Sequence, residues 1–170
     1  MQISYFYKIM RYLLLIYFSS FIFCVYAQET GEIDCSDCKS RRDTVYNNTL
    51  ILTSAENTYS VVRLIHIEKN ECVRKIFIKP GESFTVENIP FGNYYVKFVI
   101  GSDWNFNKKN HCKLNFKKEP FFMRLDKPLS YKKIKKGDSY ELSEYTVKLG
   151  LGFSPTNAAN KKISKGDFND

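Results

Sequence analysis

The sequence predicts an all-β protein, an antiparallel β-sandwich of about seven to eight strands behind a signal peptide helix. Three observations carry that expectation. Apolar and polar residues alternate with a period of two, as in Tyr94, Val96, Phe98 and Ile100 set against Tyr95, Lys97 and Val99. Gly, Pro and Asn punctuate the chain about every ten residues, the spacing of short strands joined by turns. Beyond the first 27 residues, no long segment sustains the i, i+3, i+4, i+7 spacing of an amphipathic helix.

Residues 1–27 differ in composition from the rest of the chain. Lys8 and Arg11 precede an uncharged run from Tyr12 to Ala27, and Val25 and Ala27 supply small or aliphatic residues at the −3 and −1 positions of a cleavage site. The run is shorter than the roughly 20 apolar residues of a spanning helix, so it reads as a leader cleaved after Ala27. Lipidation at Cys24 would need a small residue before it, where Phe23 stands. The expected location is therefore secreted or periplasmic. The full chain has 170 residues and a formal charge of +8, and loss of the leader, which holds two cations and no acids, leaves 143 residues at +6. That length fits one domain with extensions. A hydrophobic content of 44% and a charged content of 26% exclude a disordered chain, a collagen and a polytopic membrane protein.

In chain order, residues 28–43 read as a polar extension containing Cys35 and Cys38. The sandwich domain is expected over 44–150. Its strands fall at 44–52, at 59–68, where apolar groups on both faces imply burial on both sides, and at 72–79 across a hairpin turn at Lys69-Asn70-Glu71. Pro80-Gly81 breaks the chain, because Pro presets the second turn position and Gly accepts φ > 0. Strands resume at 83–89 and, after Pro90-Phe91-Gly92-Asn93, at 94–100. Further strands are expected at 112–116, at 121–125 between Pro120 and Pro128, at 129–134 as a lysine-rich edge, and at 140–149. Residues 151–170 lack alternation and read as a flexible tail.

The four cysteines of the mature chain form an even set in an oxidising compartment, which implies two disulfides. Three connectivities are open. The preferred pairing is Cys35–Cys38 with Cys72–Cys112, the latter closing a loop of about 40 residues worth roughly 4 kcal/mol in the chain-entropy account. A thioredoxin-like redox site at Cys35 and Cys38 lacks the surrounding α/β pattern, and a structural zinc site lacks a second close pair. No metal or other cofactor is assigned.

The stretch from Lys79-Pro-Gly-Glu-Ser83 through Ile89-Pro-Phe-Gly-Asn-Tyr94 to Phe98 is similar to the turn–strand–turn–strand hairpin of prealbumin-like and carboxypeptidase-regulatory-like modules in exported bacterial proteins. Gly101-Ser-Asp-Trp-Asn105, Tyr145-Thr-Val-Lys-Leu149, Asn157-Ala158 and Asp167-Phe168 resemble small exported β-sandwich proteins of unknown function. The resemblance covers about 79–150 and scattered tail positions. It implies fold and export and transfers no catalytic residue.

Candidate site residues are few. Trp104 could plug one end of the sandwich or stack on a sugar or a partner, with Asp103 beside it orienting a ligand hydroxyl or bonding its own turn. Lys132, Lys133, Lys135 and Lys136 are the densest point of a stretch, 105–148, with twelve cations and five acids. This stretch could meet an anionic lipid surface, an acidic glycan or extracellular DNA, or simply be a solvated edge. Its lysines carry no nucleic-acid motif, and an exported protein meets no intracellular nucleic acid. There is no G-x-S-x-G elbow, and neither paired carboxylates nor a Ser–His–Asp spacing stands out. The sequence thus reads as a monomeric, non-catalytic binding or structural module at the cell envelope. The alternatives are glycan or anionic-surface recognition through Trp104 and the lysines, and a small redox protein using Cys35 and Cys38.

Overall fold

The computed structural model describes residues 28–150 and 160–170, without the Lys108 side chain; the leader at 1–27 and part of the expected tail lie outside them. The described residues form twelve strands and one short α-helix. They are β1 (Gly31–Glu32), β2 (Thr49–Ser54), β3 (Tyr59–His66), β4 (Glu71–Ile78), β5 (Ser83–Val86), β6 (Gly92–Gly101), β7 (Phe121–Leu125), β8 (Leu129–Tyr131), β9 (Ile134–Lys136), β10 (Ser139–Glu141), β11 (Glu144–Leu149), β12 (Asn160–Lys162) and α1 (Lys165–Asn169). A seven-stranded sheet runs β1-β4-β3-β6-β7-β12, with β8 sharing the edge of β6 that β7 occupies further along. A three-stranded sheet runs β11-β2-β5, and β9 pairs only with β10. The all-β sandwich is thus present.

Alternation sorts the large sheet into two faces. Val62 and Leu64 of β3, Ile76 and Ile78 of β4 and Val96, Phe98 and Ile100 of β6 face Leu50, Leu52, Val86, Val147 and Leu149 of the small sheet, forming one inner core. Every strand pair is antiparallel except β2–β11, which runs parallel and joins the start of the domain to its end. Sequence alternation has the same period in either direction, so this departure from a wholly antiparallel sandwich leaves no local mark; the separation in sequence suits the long crossover that parallel pairing requires.

Several expected elements shift. The strand at 44–52 begins only at Thr49, because the Asp43 carboxylate accepts from the backbone N–H groups of Val45 and Tyr46 and turns the chain. Residues 112–116 form no strand and contribute a single bridge, Phe116 to Trp104. The edge expected at 129–134 divides between β8, which pairs with β6, and β9, which turns back on β10. A bulge between Leu64 and Ile65 interrupts the β3–β4 register.

The opposite face of the large sheet is covered too, by a layer that no periodicity in the sequence marks. Val61, Phe77 and Val99 pack against Ile33 and Cys35 of the N-terminal extension, Trp104, Leu114 and Phe116 of the 102–119 excursion, and Ile163 and Phe168 near the C-terminus. The extension is therefore not merely polar: β1 pairs with β4, and Ile33, Cys35 and Cys38 are buried. The described part of the expected tail is not loose. β12 pairs with β7, and α1 is closed by a capping box between Ser164 and Asp167 with Phe168 buried beneath it.

The disulfides are Cys35–Cys112 and Cys38–Cys72, with Cα separations of 5.7 and 4.6 Å, which corrects the expected pairing. The Cys35-Ser-Asp-Cys38 segment is a tight turn in which Cys38 N–H donates to Cys35 O. Lying on the outer face, it directs its two sulfurs into different neighbourhoods. Cys35 joins the cluster of Val61 and Phe77, while Cys38 joins Ile65 and Cys72. The turn therefore staples the sheet at Cys72 and the excursion at Cys112.

Candidate functional site

β9 and β10 form a hairpin whose strand residues are all exposed and pair with no other strand. The turn is set by Gly137 at φ 63°, and Lys135 lies opposite Tyr140. Lys133 reaches back so that its ammonium lies 4.5 Å from the Tyr140 ring centroid and 5.1 Å from that of Tyr46. The Tyr46 hydroxyl, as hydrogen-bond acceptor, together with Tyr140 holds the Lys133 ammonium above its ordinary pKa. Tyr46 in turn packs on Phe91 at 5.0 Å, which ties the base of the hairpin to the sandwich.

Lys135 and Lys136 lie in the hairpin and Lys132 and Lys133 in the link that leads into it, accompanied by Asp138 and Glu141. Exposed large apolar residues gather at the same place. Ile134 is 48% exposed, Tyr140 36% and Leu142 47%, and Val45, next to the Tyr46 that packs on Tyr140, is 76% exposed. Among the described residues only one further large apolar side chain, Phe121, is comparably exposed. Cations and uncovered apolar surface coincide at one end of the molecule. The lysines stand out in the sequence as a charge run, whereas nothing in it marks Ile134 and Leu142, both within expected strands, as exposed.

Trp104 and Asp103 lie elsewhere, in the outer layer. The Trp104 ring is half-buried, 5.0 Å from Phe77 and 4.9 Å from Phe116, and its indole N–H donates to Gln28 Oε1 at 3.2 Å. The Asp103 carboxylate faces Lys118 at 3.1 Å, and its backbone carbonyl accepts from Lys117. Gly101 allows this packing, since a Cβ there would stand 2.5 Å from the Phe116 ring. The structure does not bring Trp104 to the lysines.

Cys35, Cys112 and His111 place their ligand atoms within 4.8 Å of one another, but both sulfurs are committed to the disulfide and His111 contacts the carbonyl of Asp34. A disulfide sulfur lacks the thiolate charge a metal needs. The arrangement can brace the fold and offers no dithiol between Cys35 and Cys38.

A second cationic feature was invisible in sequence. Lys75, Arg63, Lys97, Arg124 and Lys161 stand directly opposite one another on neighbouring strands, so that one rung of the large sheet carries five cations on its outer face. These residues are far apart in the chain, and only the strand order assembles them.

Taken together, fold and surface define a small all-β module, braced by two disulfides, with a basic, partly apolar hairpin at one end. Two disulfides fit an oxidising environment. Among the described residues no helix is long and apolar enough to cross a membrane. No protein-family model, no curated protein and no solved structure matches the chain.

Proposed function

We propose that the protein is an exported, non-catalytic recognition module at the cell envelope that docks on an anionic membrane surface through the β9–β10 hairpin. The observation that carries this reading is the coincidence of four lysines, Lys135 and Lys136 in β9 and Lys132 and Lys133 just before it, with exposed Ile134, Tyr140 and the adjoining Leu142. Folding gains little from such an element, because an isolated two-stranded hairpin is marginal in water. A lipid interface rewards both of its features, taking apolar side chains into the acyl boundary and lysines to the headgroups. Each lysine near an anionic surface contributes about 1 kcal/mol, and Asp138 and Glu141 offset part of that. The leader expected at 1–27 and the likeness of 79–98 to hairpins of prealbumin-like exported modules support the location.

The other readings draw less support. Glycan stacking needs an open Trp104 ring, whereas that ring is packed against Phe77 and Phe116. A redox couple needs Cys35 and Cys38 to bond each other, whereas each bonds a different partner.

Vesicle co-sedimentation tests the proposal. The mature protein should be retained on phosphatidylglycerol vesicles at low salt and released at high salt, with little retention on phosphatidylcholine. Replacing Lys132, Lys133, Lys135 and Lys136 by Gln should weaken retention by about 10-fold or more. Leu142→Ser should weaken it while leaving the salt dependence in place. Equal retention on both lipids, or a four-lysine variant that binds like the parent, would overturn the reading.

A further inference from the structure

The cationic rung has a gradient of compensation along it. Like charges directly opposite on neighbouring strands destabilise a sheet unless counter-charges or acceptors neutralise them. At one end Lys75 meets Asp37 at 3.0 Å and the carbonyl of Cys112 at 2.8 Å. Next, Arg63 is buried and donates to the carbonyls of Phe168 at 2.8 Å and Asn169 at 2.6 Å, so it also caps the end of α1. Lys97 donates to the carbonyl of Asp167. The series of acceptors then stops. The Arg124 guanidinium lies over the Tyr95 ring at 4.4 Å, its Nε, like that of Arg63, is buried without a hydrogen-bond partner, and Asp167 acts on it without a direct hydrogen bond.

These groups face a groove. It has a volume of about 630 Å³, lies between β6, β7, β12 and α1, and is lined by Lys97, Arg124, Lys161 and Lys162 with Asp167 and Asp170. Both carboxylates are shared: Asp167 accepts from the backbone N–H and hydroxyl of Ser164 in the capping box while also acting on Lys97 and Arg124, and Asp170 acts on Arg63 and Lys97. Four basic side chains against two acidic ones make the lining of the groove net positive. The Tyr95 ring holds the Arg124 guanidinium against it, and a guanidinium is a planar fork of N–H donors that suits bidentate oxyanion recognition. The geometry points to a binding site for a dianionic phosphate monoester in this groove, held by Arg124 and Lys161 with Lys97 behind them, and separate from the hairpin.

The Lys97 ammonium reports the same crowding. Burial, then the neighbouring Arg63 charge, push its pKa below the ordinary value, Asp170 and Asp167 opposing and Arg124 adding to the shift, and a dianion in the groove relieves this crowding. Bound ligand therefore stabilises the native state.

Thermal denaturation and phosphorus NMR titration with inorganic phosphate and glycerol phosphate test the site, with sodium chloride at matched ionic strength and dimethyl phosphate, a monoanionic diester, as controls. Phosphate and its monoester should raise the Tm and show saturable binding that neither control reproduces. Arg124→Gln should weaken binding about ten-fold or more, as expected for loss of a charge-assisted fork. Lys161→Gln, at an exposed position that does not threaten folding, should weaken it several-fold. A Tm shift matched by sodium chloride, or tight binding retained in both variants, would overturn the site. The hairpin variant with four Gln should keep phosphate binding; its loss there would place the anion on the hairpin, defeating the groove while leaving the membrane reading standing. On that same variant, retention by phosphatidate but not phosphatidylglycerol vesicles would assign a lipid headgroup as the source, and soluble binding without retention would assign a free phosphate ester.

Discussion

Tyr94, Tyr131 and Tyr145 carry three hydroxyls into or beside the inner core, and each finds a backbone carbonyl. Tyr94 donates to Pro90 at 2.8 Å, Tyr131 to Thr49 at 3.0 Å and Tyr145 to Ser130 at 3.0 Å. The rings meet edge-on, Tyr94 to Tyr131 at 5.8 Å and Tyr131 to Tyr145 at 5.1 Å. Burial penalises the phenolates, so the Tyr94 hydroxyl is pushed up to about 12 and that of Tyr131 is raised as well. In the unfolded chain tyrosine ionises near pH 10, two steps earlier on the pH scale. Above about pH 10 the unfolded state sheds these protons while the native state keeps them, so stability is intact below pH 10 and drains away as pH rises toward 12. Urea denaturation midpoints should therefore fall through that window. Tyr131→Phe should cost about 1–2 kcal/mol at neutral pH, by leaving the Thr49 carbonyl short of a donor, and should flatten the alkaline fall. An unchanged alkaline slope in Tyr94→Phe and Tyr131→Phe alike would show that neither phenol governs it.

At the level of elements, α1 and β12 show what a short segment can hold. The helix has a single turn and would not persist alone. Phe168 anchors it, buried against Phe122 at 5.6 Å and beneath the Arg63 guanidinium at 5.7 Å from its ring. Phe168→Ala should destabilise the protein by about 3 kcal/mol, and amide exchange at 160–169 should rise further than in β3 or β6. Elements of this kind were hidden in the sequence for a physical reason. β3, β4 and β6 were legible because eight to ten residues of apolar pattern bury a sheet face. The outer layer rests on single apolar residues, Ile33, Ile163 and Phe168, each embedded in polar sequence that carries no period. The cysteine pairing was hidden likewise. Spacing shows that Cys35 and Cys38 are close, but only the outer-face position of the turn decides that their sulfurs part. Of the candidate sites, the lysines at 132–136 were legible as a charge run, whereas the cationic rung depends on the strand order β4-β3-β6-β7-β12.

Over the whole molecule, the large sheet is shared between two unequal halves. The inner core draws all its buried members from 50–149, the contiguous body of the domain. The outer core is assembled from three separated segments, the N-terminal extension, the 102–119 excursion and the C-terminal helix, and two of these are joined to each other or to β4 by disulfides. Cys35–Cys112 and Cys38–Cys72 span 77 and 34 residues, loops whose closure is worth roughly 4 kcal/mol apiece in the chain-entropy account. Reduction should therefore act on the two halves differently. The inner sandwich keeps its own packing, while the extension and excursion lose the links that offset their ordering entropy. Reduced protein should retain slow amide exchange in β2, β3 and β6 but exchange rapidly at 28–43 and 102–119. It should also bind a hydrophobic dye as Val61, Phe77 and Val99 are uncovered. Because Cys38→Ser with Cys72→Ser leaves the other link intact, that pair of substitutions should loosen the extension without freeing the excursion. Loss of protection in a single step across both halves would show instead that the outer layer is part of one cooperative core, and that the disulfides brace the sandwich itself.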